Sequence, residues 1–119
     1  MVKELDVKLE RKAFEIALQY NRTVPYTRDY QAAISAFDKF LLEYPGSSYR
    51  EAAMFHRFES AHGLATNSVE WKKEQRLKDA IGHYNTLKKA YPETTYLEQA
   101  NKMLEDINEE LEGFNTESK

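Results

Sequence analysis

At 119 residues the chain has room for one domain with a continuous core. Its 31% charged and 41% hydrophobic residues fit a helical protein of ordinary solubility, and no apolar run approaches the ~20 residues of a membrane span. Cysteine is absent, which removes disulfides, thiolate nucleophiles and cysteine-based zinc sites together.

Residues 3–20 read as the first helix. One apolar stripe runs through Leu5, Leu9, Ala13, Ile16, Ala17 and Tyr20, and a second through Val7, Phe14 and Leu18. Two stripes on different faces mean burial on two sides. Pro25 forbids a continuing helix, so 21–27 reads as a surface loop with two tyrosines at hand, Tyr20 and Tyr26. The second helix covers about 29–44 with a single stripe: Tyr30, Ala33, Ile34, Phe37, Phe40, Leu41 and Tyr44 fall at steps of three and four.

Tyr44-Pro45-Gly46-Ser47-Ser48-Tyr49 then stops one helix and starts the next, and Tyr91-Pro92-Glu93-Thr94-Thr95-Tyr96 repeats it 47 residues on. Ser48-x-x-Glu51 and Thr95-x-x-Glu98 match capping boxes. Ala33/Ala80, Ile34/Ile81, Phe37/Tyr84 and Ala53/Ala100 recur at the same offset.

The third helix, about 49–65, is apolar nearly all round through Ala52-Ala53-Met54-Phe55-His56-Arg57-Phe58, as a segment between two neighbours must be. Thr66-Asn67-Ser68 breaks the pattern, and Asn67-x-x-Glu70 matches a cap for the fourth helix. That helix runs to about 91, with Leu77, Ala80, Ile81, Tyr84, Leu87 and Tyr91 on one stripe; its first turns, 69–75, precede the stripe and are expected to project. The fifth uses Tyr96, Ala100, Met103, Leu104, Ile107, Leu111 and Phe114, with 115–119 expected to fray. Charge is uneven. Residues 69–90 carry six basic groups against three acidic, and 91–119 carry eight acidic against two basic. Six cations on a two-faced helix are too few and too mixed to track a nucleic-acid backbone, so no nucleic-acid partner is expected.

Helices with two apolar faces alternate with helices that have one. The expectation is an all-α solenoid of two helix pairs with right-handed superhelical stacking and a C-terminal capping helix. Repeat one covers about 4–45, repeat two about 48–92, and the cap about 95–114. Nothing comparable caps the N-terminal side. Val7, Phe14 and Leu18 are therefore expected to face water, to offer a self-association surface, and to mark the chain as the C-terminal piece of a longer array.

Ala33…Phe37…Tyr44-Pro45, with Ala17 and Tyr20 upstream, resembles a tetratricopeptide repeat. The fuller string, including Lys12-Ala13-Phe14-Glu15, Asp29-Tyr30-Gln31-Ala32-Ala33-Ile34, Phe40-Leu41-Leu42-Glu43-Tyr44-Pro45, Tyr49-Arg50-Glu51-Ala52 and Tyr91-Pro92-Glu93-Thr94-Thr95-Tyr96-Leu97, resembles the C-terminal half of BamD-type lipoproteins of Bacteroidetes-like bacteria. The likeness spans roughly residues 8–112. It implies a periplasmic scaffold of the outer-membrane β-barrel assembly machinery, held to the membrane by a lipidated cysteine that this chain lacks. It further implies that this half docks periplasmic domains of the barrel-forming partner and accessory lipoproteins. The turn before Tyr30 is longer than the family's usual one.

Chemistry is sparse. Glu59 and His62, three residues apart, share a helix face, but di-iron bundles need two such pairs and further glutamates. His56 and His62 diverge by about 120° around the helix. His56 is expected to be edge-packed in a helix interface, with a metal-binding helical protein centred on His56, Glu59 and His62 as the alternative class. No nucleophile elbow or phosphate loop occurs, so neither an enzyme nor a cofactor is expected. Trp71, off the stripe and beside Lys72 and Lys73, suits a protein-binding anchor; otherwise it covers a neighbouring helix or the 21–28 loop. Tyr26 with Arg28 has similar composition. A different envelope adaptor, of the Tol–Pal or a chaperone system, is the second functional reading, because shared repeats do not separate clients.

Overall fold

The computed structural model describes the backbone of residues 2–22 and 29–117 and the side chains of residues 7–22 and 29–114. Five helices follow one another, α1 (Val2–Arg22), α2 (Tyr30–Glu43), α3 (Arg50–Thr66), α4 (Glu70–Ala90) and α5 (Leu97–Glu117), with no strand among the described residues. α2 opens on Asp29, whose carboxylate accepts the Ala32 N–H at 2.9 Å. α2 and α4 close alike: the Tyr44 and Tyr91 N–H groups donate to the Phe40 and Leu87 carbonyls at 2.9 and 2.8 Å, and Pro45 and Pro92 have no N–H with which to go on.

The two corners repeat in atomic detail. Ser47 N–H donates to the Tyr44 carbonyl at 3.0 Å and Thr94 N–H to that of Tyr91 at 3.1 Å. The Ser47 hydroxyl accepts the Tyr49 N–H at 2.9 Å, and the Thr94 hydroxyl accepts the Tyr96 N–H at 3.2 Å. Each hydroxyl then donates to a glutamate of the preceding odd-numbered helix: Ser47 to Glu10 of α1, Thr94 to Glu51 of α3. The ring that follows is captured one turn along the same face. Phe14 stacks on Tyr49 at 4.8 Å, and Phe55 on Tyr96 at 4.4 Å. Glutamate and phenylalanine four residues apart therefore form a lock for the next corner.

This lock replaces the expected capping boxes. Ser47 and Thr94, not Ser48 and Thr95, carry the working hydroxyls, because a hydroxyl two residues before the Tyr N–H closes a local turn. Glu51 does not reach back to its own helix start; it also accepts the Thr95 N–H at 3.2 Å. Nor does Asn67 cap α4. Its backbone N–H and Nδ2 both turn back to the Gly63 carbonyl, ending α3, while Val69 stands at the α4 N-cap without a side-chain bond. α5 continues as helix to Glu117, past the expected fraying point.

α3 packs against all four other helices, α1 and α5 touch it from opposite sides of the sequence, and α2 and α4 make no direct contact. The odd helices form an inner layer and the even ones an outer layer, as the alternation of apolar faces predicts. One core cluster joins Phe14, Ala17, Ala33, Phe37, Phe40 and Ala53; the other joins Met54, Phe55, Phe58 and Ala61 of α3 to Leu77, Leu87 and Ile107. Ala33, Ala53, Ala80 and Ala100 are fully buried, giving close helix approach twice over. The molecule measures 62 × 33 × 21 Å with a radius of gyration of 15.5 Å, against about 13.5 Å for a compact chain of this length.

The expected open face of α1 is corrected. Phe14 is buried and Leu18 packs against the first core cluster, so only Val7 of that trio faces water. Leu9, Ile16 and Tyr20, from the other stripe, stand exposed beside it. The side on which α2 and α3 lie made the choice.

Candidate functional site

The polar groups on the inner layer come first. Asn21, in the last turn of α1, donates from Nδ2 to Glu59 Oε1 at 2.8 Å, and His56 Nδ1 lies 2.8 Å from the same oxygen. His56 is buried among Phe14, Phe37, Phe55 and Tyr96. Burial alone would raise the Glu59 carboxyl, but the His56 hydrogen bond and charge, the Asn21 amide and the Arg22 charge outweigh it and hold the carboxyl below its ordinary range. His62 points elsewhere: its Nε2 is buried 3.9 Å from Asp106 Oδ2 of α5, beyond hydrogen-bond reach. The structure thus joins His56 and Glu59 by a hydrogen bond in which His62 takes no part. No group of three or more metal-ligating side chains stands together among the described residues. What the first two build is a polar tie from α3 to α1. Ser60, also buried, donates to the His56 carbonyl at 2.8 Å.

A depression of about 620 Å³ lies beside this tie, lined by Asn21, Tyr30, Glu59, His62 and Gly63. A Cβ on Gly63 would collide with the Tyr30 ring, so glycine here lets the start of α2 lie directly on α3.

Trp71 stands where the two helix pairs differ. At the 47-residue offset Tyr30, the first residue of α2, corresponds to Leu77, yet α4 already begins at Glu70. The added turns are fastened at two points. Lys73 Nζ pairs with Glu110 Oε1 of α5 at 3.1 Å, and Arg76 Nη1 donates to Ser68 Oγ at 2.8 Å. N-terminal to Lys73 and Arg76, Trp71 is 78% exposed and covers no neighbouring helix; Lys72 Nζ sits 4.8 Å from its ring centre. Trp71 and Lys72 therefore remain together at the surface, with Val69 exposed nearby, whereas Lys73 is drawn into holding α5. Tyr26 and Arg28 lie outside the described residues.

A groove of about 830 Å³ that the sequence scarcely announces lies on the outer layer, where α2 and α4 stand apart over α3. Arg57 lies in it, with Nη1 bonded to Asp38 Oδ1 at 2.8 Å and Nε buried without an acceptor. His83 faces it too; burial, helped by the Arg57 charge against opposition from Asp38 and Asp79, pushes its imidazole below the ordinary value. The only trace in the sequence is Arg57 within the most apolar run of α3.

Among the described residues no helix is long and apolar enough to cross a membrane. Comparison with curated proteins gives no match. The family model described as YfiO, outer membrane lipoprotein, matches residues 12–116, which takes in both corner locks except Glu10 and the whole of α2 to α4. With a match over most of its length and an all-helical, tetratricopeptide-like fold beneath it, the chain belongs to the YfiO family of outer membrane lipoproteins, the BamD-like proteins.

Proposed function

We propose that this chain is a non-catalytic docking scaffold of the outer-membrane β-barrel assembly machinery, working at the periplasmic face of that membrane, and that Trp71 with Lys72 anchors a partner domain. Family membership supports the setting. The likeness to the C-terminal half of Bacteroidetes-like members supports the docking half in particular, with periplasmic domains of the barrel-forming partner and accessory lipoproteins as occupants.

The observation that carries the anchor is the 78% exposure of Trp71 on two added turns that an ion pair and a hydrogen bond tie to the fold. An exposed tryptophan on a formed helix gains most of its apolar contact on binding and, with two side-chain torsions, loses little freedom. Trp71→Ala is expected to weaken binding to the purified periplasmic domains of the barrel-forming partner by about 2 kcal/mol, measured by titration calorimetry. The thermal midpoint should not move. Unchanged affinity would remove Trp71 from the interface, and a large drop in midpoint would return it to the fold.

A further inference from the structure

The outer groove has features that the fold itself does not require. Its floor is apolar, formed by Ile34, Ala61 and Leu64. Three cations, Arg57, Arg76 and Lys78, line it against one carboxylate, Asp79, although the whole chain carries a net charge of −3. Asp79 is already engaged by Gln75 Nε2 at 2.9 Å, and Lys78 pairs with Glu74 at 3.3 Å in an exposed contact of the weak kind. Arg57 is the sharper signal. Its side chain is 13% exposed, Asp38 satisfies one terminal nitrogen, and the buried Nε still lacks an acceptor. Native folds seldom leave such a donor unpaired.

Gly82 is the second, independent signal. It sits inside α4 on the groove wall, where a Cβ would meet nothing within 4 Å. Glycine in a helix interior is less favourable than alanine, so the free protein would gain by the exchange. Gly113 of α5 likewise meets nothing within 4 Å, but only at Gly82 does the bare backbone line the groove, where it leaves room for an occupant to come closer than a methyl group permits. Gly63, by contrast, is explained by Tyr30.

We infer that this groove docks a short segment of a partner protein, with an apolar side chain on the Ile34–Ala61–Leu64 floor, flanking carboxylates toward Arg57 and Arg76, and backbone against Gly82. The volume of about 830 Å³ suits a few side chains rather than a domain. The inference rests on the docking-scaffold reading but uses a surface separate from Trp71.

The test is a titration of isotope-labelled protein with acetyl-Glu-Leu-Glu-Phe-Asp-amide, followed by amide chemical shifts. Saturable changes at Ser35, Gly82 and Thr86 are expected, and they should vanish with a counterpart carrying lysine at the acidic positions. Gly82→Ala should raise the thermal midpoint and yet weaken the peptide about tenfold; Arg76→Glu should weaken it as well. Equal binding by the lysine peptide, or unchanged affinity in Gly82→Ala, overturns the inference. Saturation of the same resonances by inorganic phosphate alone would make this an anion site, and concentration-dependent shifts without peptide would make it a contact between copies; either result overturns it too. Sensitivity of partner-domain binding to Trp71→Ala but not to Gly82→Ala would sink the groove while leaving the scaffold standing. Insensitivity to Trp71→Ala would count against the anchor whatever the peptide does.

Discussion

In the first helix pair Glu10 and Phe14 receive Ser47 and Tyr49; in the second, Glu51 and Phe55 receive Thr94 and Tyr96. The chemistry is the same but the surroundings are not. Phe55 is 2% exposed and Thr94 is buried, whereas Phe14 is 8% exposed and Ser47 half-buried, because α3 has neighbours on both sides and α1 only on one. A hydrogen bond or ring stack matters more where water is excluded. The comparison also separates what repeats from what is added. The corner locks recur, while the first turns of α4 belong to the second pair alone and the groove lies where the two pairs meet. α5 keeps the glutamate, Glu98, but has Lys102 where α1 and α3 carry phenylalanine, so its outer face is charged.

The most severe way to break the comparison is to remove its rings. Phe55→Ala should cost about 3–5 kcal/mol in chemical denaturation, with Phe14→Ala at or below the lower end, since its site is already near water. Equal losses would mean that the two locks are equally enclosed. The glutamates come next. Glu51→Gln should cost about 2 kcal/mol and Glu10→Gln about 1, because Glu51 serves both the Thr94 hydroxyl and the Thr95 N–H. A reversed order in urea midpoints would put the stronger lock at α1.

A finer cut separates adjacent serines. Ser47→Ala should cost about 1 kcal/mol, while Ser48→Ala, whose side chain is exposed at the turn, should leave the thermal midpoint nearly unchanged. The opposite result would restore the capping box.

The smallest effect concerns pH. The His83 imidazole is held below its ordinary value of 6.5, so on acidification the unfolded chain takes up that proton first. Its contribution is present above pH 6.5 and is lost as pH falls through the folded value. Glu59 acts with the same sign at lower pH, its carboxyl lying below 4.5 when folded. His83→Gln should flatten the slope of stability below pH 6.5 and leave the Glu59 region untouched, as read from denaturation at a series of pH values.

Much of the architecture is legible along the chain because its causes are local. Pro45 and Pro92 end helices wherever they lie, stripes at three and four residues report a buried face, and matched alanines mark where helices touch. Trp71 was also legible, as the residue off its stripe. The locks were harder to read. Glu10/Phe14 and Glu51/Phe55 recur 41 residues apart while the corners recur at 47, a mismatch created by the added turns of α4.

What the sequence determined by itself was the number of helices, where the corners fall and that α3 is sandwiched, since backbone chemistry and periodicity act over a few residues. Tertiary structure alone decided which residues of the two stripes on α1 are buried, which hydroxyl at each corner finds a glutamate, and that α2 and α4 stand apart over Arg57. Those outcomes depend on where a helix distant in sequence comes to rest, and no short-range pattern records that.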